Sequence, residues 1–389
     1  MKSVGMKAQD TTWDIVIAGG GLAGLSLAAE LAAPQFAHLR VLLVEPRKAY
    51  VRDRTWSFWA LPNALPQRWQ SLAATHWQQW RVSCGERSVT SVGKVAYTSV
   101  RADAFYETAL DIIAQAPHIE WLRPATIAQV QASAEGVALT LDSGERLQCK
   151  RLFDSRPPVP LNPSDWVQHF AGWEVQSSKP CFDPKRVELM AFEPHANGLH
   201  FIYLLPYSPS QALVESTWIS RANVKAQADQ ELKNALQQRW GCVDYDITFR
   251  EQGALPLLPK FPADQQNVTR IGRAGGTLRA ATGYSFCATL QQTSALASSL
   301  AQQLRLGDSL AAWQAPVFQN HPMDQWMDSV LFRVLERDWM AAPSYFLSLF
   351  ENVPEQQLVR FLQGQADWRD RFAVMKALPP WPFMQAALG

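Results

Sequence analysis

The apolar run from Trp13 to Ala33 changes character part-way along. Trp13 to Ala18 is short and continuously apolar, as a buried strand is; glycines interrupt it, and an Ala/Leu-rich stretch of helical type follows. "RVLLVEP", Arg40 to Pro46, is a second such strand, of the kind parallel sheets bury on both faces. Arg101 to Ala116 repeats at helical spacing, with Asp103 as the expected N-cap. "IEWLRP", a hairpin turning at "DSGE" and a strand ending at Asp154 come next, before Pro157, Pro158 and Pro160 break the pattern. From about Trp166 to Ile247 the chain alternates, which predicts antiparallel strands with short polar turns. A Gly-rich loop then leads into a long helix, roughly Phe286 to Leu304, and the rest, from about Ala311, reads as amphipathic helices. The whole predicts an α/β protein with an inserted antiparallel β segment and a helical C-terminus.

Composition narrows this picture. The 389 residues are enough for two domains or one large one with a substantial core. Lys plus Arg (36) nearly cancels Asp plus Glu (35), so no global charge favours nucleic acid. Trp is abundant, at 16 residues, which suits large apolar pockets and also membrane interfaces. The five cysteines and seven histidines show no metal-ligand spacing and no disulfide framework, so no metal is expected and a reducing cytoplasm is. The N-terminal residues lack the apolar region of a signal peptide, and apart from the glycine-interrupted first run no stretch approaches bilayer-crossing length. Any membrane contact is expected from one side.

The glycines carry the first chemistry. Gly19-x-Gly21-x-x-Gly24 follows a strand and opens a helix, with Glu45 at the end of the next strand, 45 − 24 = 21 residues on. That context predicts a dinucleotide whose diphosphate meets the helix N-terminus and whose ribose meets Glu45. A second strand, glycine loop and helix, with Gly272, Gly275, Gly276 and Gly283, suits FAD, whose flavin half needs its own support. Arg101 and Asp154 are further candidate cofactor contacts. "RDRTWSFW" offers Arg52 and Arg54 for phosphate and Trp56, Phe58 and Trp59 as aromatic lining, unless it simply marks a passage from surface to core. Tyr284 joins the candidate lining.

One acid stands out. Glu215 lies in an apolar strand, sharing a face with Leu213 and Thr217. Two readings stay open: it points to solvent, or a proton donor is held inside.

Taken together, "IAGGGLAGLSLAAEL", "DRTWSFW", "FIYLLPYS…ALVEST", "IGRAGGTLRAATGYSF" and "LVRFLQGQADW…LPPWPF" resemble the bacterial lycopene β-cyclase family, in order and across nearly the whole chain. The resemblance implies a Rossmann-type FAD-binding fold of the flavoprotein hydroxylase kind. It implies an FAD domain from 10–55, 100–160 and 265–310, and a substrate domain from 56–99 and 161–264. Residues 311–389 would form a helical segment with possible membrane contact, through "WMAAPSYFLSLFENV" in particular. The implied reaction closes the linear ψ-ends of lycopene, or of other acyclic-ended carotenoids, into β-rings without net oxidation. It gives β-carotene via γ-carotene and needs reduced FAD, with NAD(P)H as the electron source. Glu215 falls on the family's key carboxylate, and Arg273 stands where similar flavoproteins carry Asp. The expected place is the inner face of the cell membrane. Rival readings are an FAD-dependent monooxygenase or prenyl-chain reductase, and a non-catalytic carotenoid carrier.

Overall fold

The computed structural model describes residues 12–73, 75–157, 162–222, 227–258, 265–307, 309–310 and 312–388. Its strands, numbered in chain order, form two sheets. The first has β1 (Thr12–Ala18), β2 (Val41–Val44), β6 (Ile119–Leu122), β7 (Ile127–Ala132), β8 (Val137–Leu141), β9 (Arg146–Asp154) and β15 (Val268–Arg270). Its order is β6-β2-β1-β9-β8-β7, with β15 beside the C-terminal half of β9. The strands around β1 run parallel, while β7 and β8 form an antiparallel flap. β1 is continuously apolar because both its faces are covered: Ile15 and Ile17 join the main core, and Val16 and Ala18 join a second cluster under the flap.

The second sheet runs β14-β10-β13-β12-β11-β4-β5-β3. Its strands are β3 (Thr55–Trp59), β4 (Thr75–Cys84), β5 (Arg87–Arg101), β10 (Trp166–Ser177), β11 (Arg186–Phe192), β12 (Gly198–Pro206), β13 (Gln211–Arg221) and β14 (Tyr245–Pro256). All its pairings are antiparallel except β4 with β11. The helices are α1 (Leu22–Leu31), α2 (Ala102–Ala114), α3 (Ala228–Trp240), α4 (Phe286–Arg305), α5 (Pro322–Arg337), α6 (Ala342–Asn352), α7 (Glu355–Leu362), α8 (Trp368–Ala377) and α9 (Pro380–Leu388). α1 packs on α4, which joins the two glycine loops into one layer beside the first sheet.

Three expectations need correction. The alternating stretch is not all strand, since α3 interrupts it, burying only Leu232, Ala235 and Leu236 on a largely polar helix. Asp103 is not an N-cap: α2 starts at Ala102 after Arg101, and Asp103 instead pairs with Arg101 at 2.5 Å. The segment Trp339 to Val353, expected against a membrane, turns its apolar side inward as α6, burying Tyr345, Leu347, Leu349 and Phe350. Met340 is exposed in that segment, but a denser group of exposed apolar side chains lies further on, Trp368, Phe372 and Met375 on α8 and Trp381, Met384 and Leu388 on α9.

Buried ion pairs clamp these C-terminal helices to the rest. Arg279, in the loop before α4, meets Asp324 and Asp328 of α5, each at 3.0 Å. Asp324 also accepts from Arg371 of α8 at 2.7 Å, and Asp370 of α8 pairs with Arg360 of α7.

Candidate active site

A cavity with about 1470 Å³ of free space, its open mouth included, lies between the second sheet, the loop before α4 and helix α6. The inward face of β13 supplies Leu213, Glu215, Thr217 and Ile219, the alternation its sequence predicts. The opposite face carries Ser216 and Trp218, both bonded to Glu231 of α3. Glu215 therefore does not face bulk water; what exposure it has opens into the cavity. Burial pushes its carboxyl well above the usual range, and the neighbouring Glu251 adds to the shift.

Two strands prepare that position. Gly172 of β10 stands in register with Glu215 on one side and Glu251 of β14 on the other. A Cβ at 172 would lie 2.7 Å from Glu215 Cγ and 3.3 Å from Glu251 Cγ, so only glycine leaves room for both carboxyls. Across the other edge of β13, Tyr203 pairs with Glu215. Its hydroxyl lies 3.0 Å from that of Tyr97, which is 3.2 Å from Tyr284. Burial raises the pKa of all three phenols, which holds them neutral. Trp59 closes edge-on over Tyr97 and Tyr284, with ring centroids 4.8 and 5.8 Å away. The result is a largely aromatic chamber with an acid in its wall that burial favours in the neutral form.

The glycine turn lies at the end of β1. Gly21 caps α1 with nothing within 4 Å of its Cβ position, and no side chain caps the helix. A Cβ on Gly24 would sit 1.8 Å from Gly19 O, so the helix approaches the turn as closely as a backbone can. The start of α1 is thus open and carries the positive end of the helix dipole. Glu45 braces this turn, accepting from Gly20 N–H at 2.5 Å and from Arg47 at 2.8 Å. Gly272 begins a turn over Gly272–Gly275 that packs on Ala23 of α1, and Ile271 N–H donates to Asp154 O. The first residues of α4, with Ser285 before them, line the cavity. Arg54 and Arg273 line it too; burial, then the Arg54 charge, lowers the Arg273 pKa.

Comparison with known proteins identifies the group. The family model described as lycopene cyclase protein matches residues 14–388. The chain belongs to the lycopene cyclase family. A relative described as lycopene beta-cyclase from Pantoea ananas is 26% identical, covering 96% of this chain and 97% of its own. Another, from Paracoccus sp. (strain N81106 / MBIC 01143), is 25% identical and covers 95% of each. Solved structures share the fold at low identity. One is a flavoprotein/dehydrogenase from Cytophaga hutchinsonii (TM-score 0.62, 13% identity, 97% of this chain and 98% of that one). Another is a geranylgeranyl bacteriochlorophyll reductase-like protein from Thermoplasma acidophilum (TM-score 0.61, 14%, 97% and 99%). The fold is that of FAD-dependent flavoproteins, α/β with a Rossmann-type layer.

Within this member of the lycopene cyclase family, Glu215, Trp56, Trp59, Tyr284, Arg54 and Gly283 meet at the one cavity. Gly19, Gly21 and Gly24 form the turn at β1, and Gly275 and Gly276 follow Gly272 in the distal loop. Five candidates have other neighbours or partners. Phe58 is 1% exposed and absent from the cavity wall; it stacks on Phe286, as Trp56 also does. Arg101 is turned to solvent by its pairing with Asp103. Asp154 is held by Arg156 at 2.7 Å, and Glu45 by Arg47. Arg52, proposed for phosphate, instead bonds Glu174 at 2.6 Å. Sequence reasoning missed Glu251, Gly172, Tyr97 and Tyr203. For Glu251 a signal exists: Phe249, Glu251, Gly253 and Leu255 alternate onto one face of β14, and a bulge turns Ile247 to the other.

Proposed function

We propose that the chain is a lycopene β-cyclase that protonates the ψ-end of lycopene with Glu215 and closes it to a β-ring, giving β-carotene through γ-carotene. The reading rests on one observation: Glu215, whose carboxyl burial pushes toward its neutral form, faces a largely aromatic chamber. The proton of Glu215 goes to the terminal double bond, and the electrons of the next one close the ring. A proton then leaves the ring carbon and returns to a carboxylate, so no net oxidation occurs. Trp59, Tyr97 and Tyr284 would exclude water and lend their ring faces to the cation, each worth about 0.5–2 kcal/mol.

The residues fit FAD. The open, uncapped start of α1 suits its diphosphate, and a ribose reaching Glu45 would replace Arg47 there. Arg54 and Arg273 bring two cations to one cavity, which suits an anionic ring. Bound and reduced, FAD would supply negative charge beside the cation. NAD(P)H as the reductant belongs to the same proposal.

A C40 hydrocarbon partitions into bilayers, so the protein must meet one, and we assign that contact to α8 and α9. Trp368, Phe372, Met375, Trp381 and Met384 stand exposed there beside Arg369 and Lys376, an interfacial pattern. Replacing Phe372 and Trp381 with Ser should strongly reduce flotation with anionic liposomes; unchanged flotation would remove this assignment.

The deciding experiment is anaerobic incubation of the protein with lycopene in liposomes and dithionite-reduced FAD, followed by pigment chromatography. Cyclic product should form without stoichiometric use of reductant. Oxygenated or hydrogenated product would favour the monooxygenase or reductase reading, and unchanged lycopene the carrier.

A further inference from the structure

Glu251 is 5% exposed, and neither of its oxygens finds a hydrogen-bond partner of good geometry among the described residues. A carboxyl so placed is costly unless something uses it. Among the described residues no cation forms an ion pair with it, although the Arg52 charge acts on it. Arg52 is the nearest, but its guanidinium bonds Glu174 at 2.6 Å and lies 3.9 Å over the Phe249 ring. Glu251 is absent from the cavity wall and reaches a substrate only through Glu215. The two acids flank Gly172, whose missing Cβ is the space they share.

We propose that Glu251 is a positioning residue for proton transfer, holding the proton of Glu215 on that acid until a polyene end arrives and drawing it back afterwards. This rests on the cyclase reading of Glu215. At rest the pair holds one shared proton. Donation to the terminal double bond leaves two facing carboxylates; ring closure moves the positive charge along, and the proton lost from the ring carbon restores the singly charged pair. Protons in and out balance, and no electrons are exchanged. Repulsion between the two carboxylates favours the return.

Burial, opposed by Glu215 and the Arg52 charge, brings Glu251 to about 7, and burial with Glu251 beside it raises Glu215 well above the ordinary carboxylate value. The groups facing Glu251 are Glu215 from β13, Tyr207 from the β12–β13 turn, Arg52 and Thr55 before and on β3, and Glu174 of β10 through Arg52. With Glu251 as a carboxylate, Glu215 gives up its proton less readily; a neutral amide removes that restraint.

The test is the alkaline limb of kcat against pH in lycopene-loaded liposomes for the wild type, Glu251→Gln and Glu251→Asp. In Glu251→Gln the limb should move to lower pH by about one unit or more, a tenfold loss at a fixed pH on that limb. Glu251→Asp should keep it near the wild-type position. A Glu251→Gln enzyme whose rate falls with the limb unmoved, or whose rate is unchanged, would overturn the proposal. Infrared titration of the wild-type holoenzyme covers a variant that does not fold. Two carboxylic C=O bands titrating separately, both above the ordinary carboxylate range and both altered in Glu215→Gln, are expected. Their absence would overturn the pair whatever the pigment assay shows. Wild-type enzyme that shows the bands but forms no cyclic product would instead refute the cyclase reading.

Discussion

Asp324 with Asp328, and Glu215 with Glu251, are two pairs of neighbouring acids held away from bulk water, and their surroundings differ. Asp324 and Asp328 lie on one face of α5, four residues apart, with Arg279 between them and Arg371 beyond. Glu215 and Glu251 lie across three strands, with glycine between them and the nearest arginine already bonded elsewhere. Burial pushes all of these carboxyls that shift upward, but Arg279 opposes the rise at Asp328, whereas Glu251 reinforces it at Glu215. A buried acid beside guanidinium acts as a strut. One beside another acid keeps its proton and can give it away.

The largest effect that sharpens this contrast is on rate. Glu215→Gln should lower cyclisation by about 10²–10⁴-fold while leaving FAD bound and the melting temperature no lower than in the wild type. Near-normal product from that variant would erase the distinction between the two pairs. Next comes Asp324→Asn, which leaves Arg279 and Arg371 without their shared partner; calorimetry should show a loss of about 3–5 kcal/mol. A smaller effect follows from pH. Glu251 titrates near 7 when folded and near 4.3 when unfolded, so the folded state binds its proton more tightly. Its stabilising contribution is full below about 4.3 and is lost as pH rises through about 7. Denaturant titrations should therefore show the wild type losing roughly 3 kcal/mol more than Glu251→Gln over that window. A constant difference between the two would mean that Glu251 titrates alike in both states.

The sequence made the first sheet and the β13 strand legible because each carries its own local signal. The Gly19–Gly24 spacing announces a turn and a helix, and alternation along Leu213, Glu215 and Thr217 assigns a face. What alternation cannot give is the partner strand. Glu251 lies 36 residues from Glu215 and meets it only because β10 lies between β13 and β14. Tyr97, Tyr203 and Tyr284 come from three distant segments for the same reason. Arg101 and Phe58 show the converse: each stood in the right stretch of chain, and a neighbour, Asp103 or the Phe286 ring, holds it elsewhere. α6 misled through its composition, because an apolar helix lining an internal chamber has the same residues as one lying on lipid.

The clamp at Arg279 has a mechanical consequence. Arg279 N–H donates to Tyr284 O, closing the loop that carries Tyr284, and the Arg279 side chain and Ala281 N–H fasten the start of that loop to Asp328 of α5. Thr282 reaches the last carbonyl of α7 in the same way. The C-terminal helices are thus masonry in the chamber rather than an appendage to it. A protease cut or a stop codon near Pro322 would take down the wall behind the tyrosines together with whatever the outer helices touch.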